Sequence, residues 1–478
     1  MLMNDQDAHL YIKGRWVVGQ AGTLDNIDPA NGQRIGVVSL ADETQVSAAL
    51  DAASGSFPAW SASNPRIRGQ ILKKAAALLR ERLGELSEAL LLEGGKTRAD
   101  ASGEAQRAIE TLNWNGEEAP RVSGKVYSGI VDGSTRYSVP VPLGVAVAIT
   151  AWNFPAVLIA RKLGAALAAG CTVVLKASEF TPRTACAIVK ALADAGLPEG
   201  VVNLVFGDPV TVSEQLLSSP VVKVLSFTGS THVGKQLAGL AAKQLIRPVL
   251  ELGGHAPVIA WSDADVDRVV AVTAPAKFGT AGQSCVAPTR YLVHRDLHDK
   301  LVQALVAKAR SYCLGHGHEE SANLGPVAHA RRVRALQELV DDAVAKGASV
   351  ETGGAKADLP GFFFQPTVLS GVPRDAELLS EEPFGPIATV QAFSTLDEAI
   401  ELANAAPYAF AAYLFTDSMR VRNEVVSRLQ ASNIGVNQTA PSLPDVPLGG
   451  LGNSGYGYEG GTDGVLAYMQ LRLVSQST

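Results

Sequence analysis

The sequence predicts an α/β protein with a doubly wound sheet. Two alternations of strand-length apolar runs with helical stretches carry this reading, the first from residue 143 and the second from about Glu251 to Asn437. Such alternation is the pattern of βαβ units. The length agrees: 478 residues make two or three domains at roughly 150 residues each.

Residues 64–92 place Ile67, Ile71, Leu72, Ala75, Leu78, Leu79 and Leu83 at helical spacing. Residues 122–142 differ. Val122, Val126, Tyr127, Ile130, Tyr137, Val139 and Val141 sit among Gly, Ser and Pro, which predicts a β-ribbon projecting from the body. Val145–Thr150 is a short apolar run suited to a buried parallel strand. There follow a helix at Val157–Ala169, a strand at Thr172–Lys176, a helix at Thr181–Ala195 and a strand at Val202–Phe206. A helix at Val212–Ser218, a strand at Lys223–Phe227 and a helix at His232–Ala242 complete the first run. The tail is Gly-rich at 449–464 and ends in a strand-like segment, Tyr468–Val474.

Apolar residues make up 47% and charged residues 18%, the balance of a globular chain rather than a disordered one. The net charge is −6 and no basic stripe is present, so nucleic acid and anionic membranes are not expected partners. The N-terminus lacks an apolar signal-peptide core. Stretches such as Val145–Ala151 and Leu163–Gly170 are far shorter than the roughly 20 residues that span a bilayer. Cys171, Cys186, Cys285 and Cys313 are too scattered for a disulfide scaffold, and no CxxC or HExxH spacing suggests zinc. A reducing, cytoplasmic location is expected.

Two segments compete as a dinucleotide loop. Gly450–Gly455 spells G-x-G-x-x-G, but it follows a Pro-rich stretch and opens no helix, so it is rejected. Phe227–Gly234 follows a strand and opens a helix. Gly229 would let the backbone approach a phosphate there, and Ser230 would donate to it. A plain strand-to-helix turn with Ser230 as N-cap fits equally well. Lys176 and Glu179 end another strand, where a carboxylate can hold ribose hydroxyls, or the two can be a solvated pair.

Cys285 lies in a small, polar stretch, Gly279–Val286, that would leave its sulfur accessible. A nucleophilic thiol needs that access and an environment favouring thiolate. Glu251 ends an apolar strand. Desolvation there would raise its pKa and suit it to general-base duty, although a capping or ion-paired acid is the plainer alternative.

Taken in order, these motifs resemble the aldehyde dehydrogenase superfamily nearly end to end. The carriers are AWNFP at 151–155, KASEFTP at 176–182, FTGSTHVGK at 227–235, LELGG at 250–254, GQSC at 282–285 and EEPFGP at 381–386. The resemblance implies two Rossmann-like α/β domains and a β-ribbon oligomerisation arm. The NAD(P)-binding domain would comprise 1–121 and 143–253, the catalytic domain 254–468, and the arm 122–142 and 469–478. It also implies oxidation of an aldehyde to a carboxylic acid through a thiohemiacetal and thioester on Cys285. Asn153 and the Cys285 N–H would form the oxyanion hole, Glu251 would activate water, and Lys162 and Glu459 would pass the proton outward. Lys176 and Glu179 match adenosine-ribose contacts, and Gly229 and Ser230 the pyrophosphate turn. Glu382 and Phe384 match contacts to the nicotinamide ribose and ring, and Trp152 borders the pocket. Glu179 favours NAD by repelling a 2′-phosphate, while Lys176 and Ser178 leave NADP possible. A homodimer or homotetramer is expected.

Within the superfamily, the segments 153–176, 253–257 and 454–461 resemble succinate-semialdehyde and 2-oxoglutarate-semialdehyde dehydrogenases. Those enzymes hold a substrate carboxylate with two arginines and a serine. Arg161 and Ser442 match one arginine and the serine, but Gly279 stands where the second arginine is expected. Val157 and Leu158 replace polar residues of the 2-oxoglutarate-semialdehyde enzymes. The substrate is therefore expected to be a semialdehyde held through Arg161, or a bulkier apolar or aromatic aldehyde. Two rivals stand beside this reading: a CoA-acylating enzyme and a non-catalytic structural member. His255, which follows the Glu-Leu-Gly-Gly run, is expected to be structural.

Overall fold

The structure is a computed structural model that describes residues 7–128, 133–439 and 442–477; Ile130 lies outside the described residues. The first sheet has eight strands. Its five parallel strands lie in the spatial order Val202–Val205, Thr172–Lys176, Val145–Ile149, Val222–Thr228, Arg247–Glu251. The strand order therefore reverses between Val145–Ile149 and Val222–Thr228. In open α/β sheets the crevice at such a reversal, outside the carboxyl ends of the strands, is where ligands bind. Asn153 and Gly229 lie just beyond those two ends.

Val145–Ile149 and Thr172–Lys176 are buried at every residue. That is why they read as unbroken apolar runs instead of alternating. The helix Pro155–Ala169 is likewise buried along its whole length and packs against Arg98–Glu118. Its two charged residues, Arg161 and Lys162, are only 3% and 1% exposed, so each must find a partner inside the protein.

The second sheet has seven strands in the order Ser349–Thr352, Thr367–Ser370, Ile387–Phe393, Pro288–His294, Ala256–Ala260, Ala411–Phe415, Asn433–Val436. All pairs are parallel except that of the edge strand Ser349–Thr352. A three-stranded antiparallel sheet stands apart, formed by Met469–Ser477, Ser134–Pro142 and Lys125–Tyr127. Val126, Leu471 and Leu473 are exposed on it.

Two details differ from the sequence reading. The expected helix over 64–92 is two helices, Pro65–Glu81 and Leu83–Gly94, separated at Arg82 (φ −101°, ψ 23°). The break lets Leu72 and Leu79 of the first and Leu86 and Leu90 of the second all turn inward. Residues 455–468 return to the first sheet: Gly455–Tyr456 pairs with Arg247–Glu251, and Val465 and Tyr468 join that core. The glycines of the rejected 450–455 run serve this return. A Cβ on Gly455 would meet the Leu250 carbonyl oxygen at 1.9 Å, so only glycine lets this strand close on the one carrying Glu251.

Candidate active site

The two sheets meet at one cleft of about 780 Å³. Cys285 and Glu251 come together in it from different elements. Glu251 is the last residue of Arg247–Glu251 and is 3% exposed. Cys285 follows a tight turn after the helix Val266–Phe278. Thr280, Ala281 and Gly282 all have left-handed φ values of 50°, 50° and 71°. Non-glycine residues there cost on the order of 1–2 kcal/mol each, so neighbouring contacts must hold the turn. A Cβ on Gly282 would lie 2.2 Å from the Gly385 carbonyl oxygen, which shows how closely the 381–386 segment presses on it.

The Cys285 thiol donates to Glu251 Oε1 at 3.2 Å. Thr228 Oγ donates to Glu251 Oε2 at 2.9 Å, and the Gly229 N–H donates to the Glu251 carbonyl at 3.1 Å. Burial, then the charge of Glu459, raises the Glu251 pKa, while Lys162 and Arg161 oppose the rise. Burial and the Glu251 charge also push the Cys285 thiol well above its usual range. This corrects the expectation of an environment favouring thiolate. Cys285 rests as a thiol, and the adjacent carboxylate is the group placed to take its proton. Cys171 and Cys186 are pushed up to about 11 and about 12 by burial, and their thiols donate to the Tyr468 and His9 carbonyls rather than to a carboxylate.

Asn153 Nδ2 donates to the Gln283 carbonyl at 3.1 Å, two residues before Cys285. Its Oδ1 is buried without a partner among the described residues. Behind Glu251, Lys162 forms a buried ion pair with Glu459 and donates to Ser226 Oγ at 3.1 Å.

On one side of the cleft, Gly229 and Ser230 begin the helix Thr231–Lys243, and Ser230 Oγ caps it by accepting from the Val233 N–H. Ser230 is therefore the N-cap of this helix, and it lines the cleft together with Gly229. A Cβ on Gly229 would meet the Phe227 ring at 2.4 Å. Glu382 accepts from the Gly254 N–H at 3.0 Å, and burial raises it to about 8. Trp152 meets Phe384 and His329 edge-on, with centroids 5.6 and 5.7 Å away. Lys176 and Glu179 lie outside the cleft lining. They pair at 2.7 Å, and Glu179 accepts from the Gly207 N–H at 3.0 Å.

On the other side lie Phe154, Val157, Leu158, Arg161, Gly279 and Ser442. Arg161 Nη2 donates to the Ser442 carbonyl at 2.9 Å and to its hydroxyl at 2.5 Å. Arg161 Nε has no partner among the described residues. A Cβ on Gly279 would meet nothing closer than Asp100 Oδ1 at 3.8 Å, so the cleft is open there.

Residues 16–474 match the aldehyde dehydrogenase family. The chain belongs to that family. A putative 4-(hydroxymethyl)benzenesulfonate dehydrogenase, TsaD2, from Comamonas testosteroni is 42% identical over 97% of each chain. Human mitochondrial succinate-semialdehyde dehydrogenase is 38% identical over 97% of this chain and 87% of its own. The crystal structure of succinate-semialdehyde dehydrogenase from Burkholderia pseudomallei superposes with a TM-score of 0.98, at 36% identity, covering 100% of this chain and 99% of that one. The family oxidises aldehydes with NAD or NADP. Among the described residues of this aldehyde dehydrogenase, no helix is long and apolar enough to cross a membrane.

Thirteen of the seventeen site residues singled out from the sequence of this aldehyde dehydrogenase line the one cleft. Lys162, Glu459, Lys176 and Glu179 lie outside it. His255 is buried and its Nε2 donates to the Leu378 carbonyl at 3.0 Å. Burial and Arg290 hold its pKa well below 6.5, so it is neutral and structural. Sequence reasoning missed Thr228, although it lies inside the recognised 227–235 motif. It also missed Arg107, His329 and Arg332, which line the cleft and carry no motif of their own.

Proposed function

We propose that the cleft oxidises an aromatic aldehyde bearing an anionic substituent to the carboxylic acid, with NAD. The carrying observation is the 3.2 Å contact of the Cys285 thiol with Glu251 beside Asn153. As Glu251 takes the thiol proton, sulfur bonds to the aldehyde carbon, and the oxygen becomes an oxyanion. Asn153 Nδ2 and the Cys285 N–H, which has no acceptor among the described residues, meet that charge. A bound dinucleotide supplies the hydride acceptor, leaving a thioester on Cys285. Glu251 then deprotonates an attacking water, the C–S bond breaks, and the carboxylic acid leaves with the thiol restored. The buried Lys162–Glu459 pair carries the released proton away from Glu251.

The residues present fit a dinucleotide. The Thr231–Lys243 helix opens its N-terminus on the strand-order reversal, where backbone N–H groups suit pyrophosphate. Lys176 and Glu179 would hold the adenosine ribose, with the Glu179 carboxylate disfavouring a 2′-phosphate. Glu382 and Phe384 would hold the nicotinamide ribose and ring, with Trp152 against Phe384.

The substrate reading joins three features. Arg161, whose Nε has no partner among the described residues, supplies a buried cation for an anionic group. Phe154, Val157, Leu158 and the open space at Gly279 suit a ring. Arg107, whose guanidinium has no hydrogen bond or ion pair among the described residues, lies 6.0 Å from the Phe154 ring and adds a second cation. The hydroxymethylbenzenesulfonate dehydrogenase named above supports an aromatic sulfonate. The arm, with Val126, Leu471 and Leu473 exposed, supports a homodimer or homotetramer, and the composition supports a cytoplasmic location.

The test compares kcat/KM for 4-formylbenzenesulfonate, 4-carboxybenzaldehyde, benzaldehyde and succinate semialdehyde. Hydrogen bonds to a charged group are worth about 1.5–3 kcal/mol, so the anionic aromatics should exceed benzaldehyde by roughly 10–150-fold. Arg161→Met should erase most of that margin. Equal rates for benzaldehyde, or a preference for succinate semialdehyde above about 100-fold, would overturn the substrate reading. Acyl-CoA formation on adding CoA would overturn hydrolysis.

A further inference from the structure

A buried ion pair outside the reacting centre grips the turn that carries Asn153. Lys96 and Glu104 pair at 2.9 Å, and neither side chain has any solvent exposure. Lys96 Nζ also donates to the Asn153 carbonyl at 2.8 Å and stands 4.3 Å above the Phe154 ring. Glu104 Oε1 accepts from the Ala156 N–H at 2.9 Å. The pair therefore holds an acceptor at residue 153 and a donor at residue 156, on either side of the start of Pro155–Ala169.

The local sequence explains why outside help is needed. A helix leaves its first N–H groups without intrahelical partners. Phe154, the N-cap residue here, offers no side-chain hydrogen bond. Glu104, from the helix Arg98–Glu118, satisfies one of those N–H groups in its place. Apolar residues of similar volume often stabilise a fold as well as a buried ion pair does, because desolvating two charges is costly. This pair does what apolar residues cannot: it fixes the backbone on both sides of Phe154 by hydrogen bonds. The Asn153 side chain spans from that backbone to the Gln283 carbonyl on the nucleophile turn.

We infer that Lys96 and Glu104 are positioning residues that aim the Asn153 amide at the oxyanion. The inference rests on the oxyanion role of Asn153. It predicts a loss that appears in kcat, since the aim of the amide matters where charge develops.

The test uses the full-length enzyme carrying Lys96→Met/Glu104→Met, a double change that leaves no buried charge unpaired. With the fold verified by circular dichroism, kcat should fall about 10²–10³-fold, as for loss of one oxyanion donor. KM and dinucleotide affinity should stay within about threefold. Adding Asn153→Ala to the double variant should cost little more, because residues acting through one group are not additive. Glu104→Gln, which keeps an acceptor for the Ala156 N–H, should retain most of the activity. Lys96→Arg, which keeps the charge and displaces the donor, decides the matter if the double variant does not fold. Its kcat should fall at least about tenfold. An unchanged kcat in the folded double variant or in Lys96→Arg, or a fully additive loss with Asn153→Ala, would overturn the positioning role. Full activity in Asn153→Ala alone would instead remove the oxyanion reading beneath it.

Discussion

The centre of the cleft and its substrate end are constructed differently. At the centre, every side chain proposed to react is tied to another part of the site. Cys285 bonds to Glu251, Glu251 to Thr228, and Asn153 to the carbonyl two residues before Cys285. At the substrate end, the Arg161–Ser442 contact stands beside an open space at Gly279, and Arg107 has no ion pair among the described residues. The centre must hold one geometry for one reaction, and connected groups lose less motion in reaching it. The substrate end only has to accept one class of molecule. A single side chain can change its preference without disturbing the chemistry. Mutations at the centre should therefore abolish turnover, and mutations at the substrate end should redirect it.

The largest effect is expected at Cys285. Cys285→Ala removes the atom that becomes covalently bonded, so turnover should fall by about 10⁴-fold or more. Dinucleotide affinity, measured by calorimetry, should be nearly unchanged. Residual turnover near wild type would break the comparison at its strongest point. Next comes Glu251→Gln, which should cost about 10²–10⁴-fold, the usual worth of a general base. The pH profile carries a sign. Burial and Glu459 raise the Glu251 pKa, so the carboxylate is protonated and inactive at low pH. Activity should rise with pH through a midpoint above the ordinary carboxylate range. Glu251→Gln should remove that limb from the kcat/KM profile. A limb that survives unchanged would assign it to another group.

The same contrast describes what could be read from the sequence. The strand Thr172–Lys176 emerges with the expected bounds, because a strand buried on both faces must be apolar throughout. Cys285 and Glu251 stand out as candidates from their local sequence, whereas Asn153 is named only through the family resemblance. The Lys96–Glu104 pair stands out in neither way. In sequence two charges eight residues apart look like a solvated helix face, and only packing shows that both are buried. The left-handed run at 280–282 was hidden for a related reason. Thr280 and Ala281 are not turn-formers, and the groups that press on the turn come from distant segments: Asp100 accepts from the Thr280 N–H, and the Gly385 carbonyl lies against Gly282. Arg161 and Ser442 are 281 positions apart, so their partnership came from family resemblance rather than from any local pattern.

Gly279→Arg addresses the other end of the comparison, with a smaller expected effect. The position can take a side chain. Its backbone, at φ −50° and ψ 143°, is ordinary for an L-residue, and a Cβ would meet no atom within 3.4 Å. The new guanidinium would start beside Asp100, which gives it a local carboxylate as well as a view into the cleft. A short aliphatic aldehyde with a terminal carboxylate would gain a further cation beside Arg161, while an aromatic ring would lose its space. The ratio of kcat/KM for succinate semialdehyde to that for 4-formylbenzenesulfonate should therefore rise by about 10–100-fold, the worth of one charged hydrogen bond. Chemistry at the centre should be untouched, so the pH midpoint set by Glu251 should stay where it is. If Gly279→Arg instead lowers kcat for both aldehydes equally, the two ends of the cleft are coupled. The division between a connected centre and an independently adjustable substrate end would then be wrong.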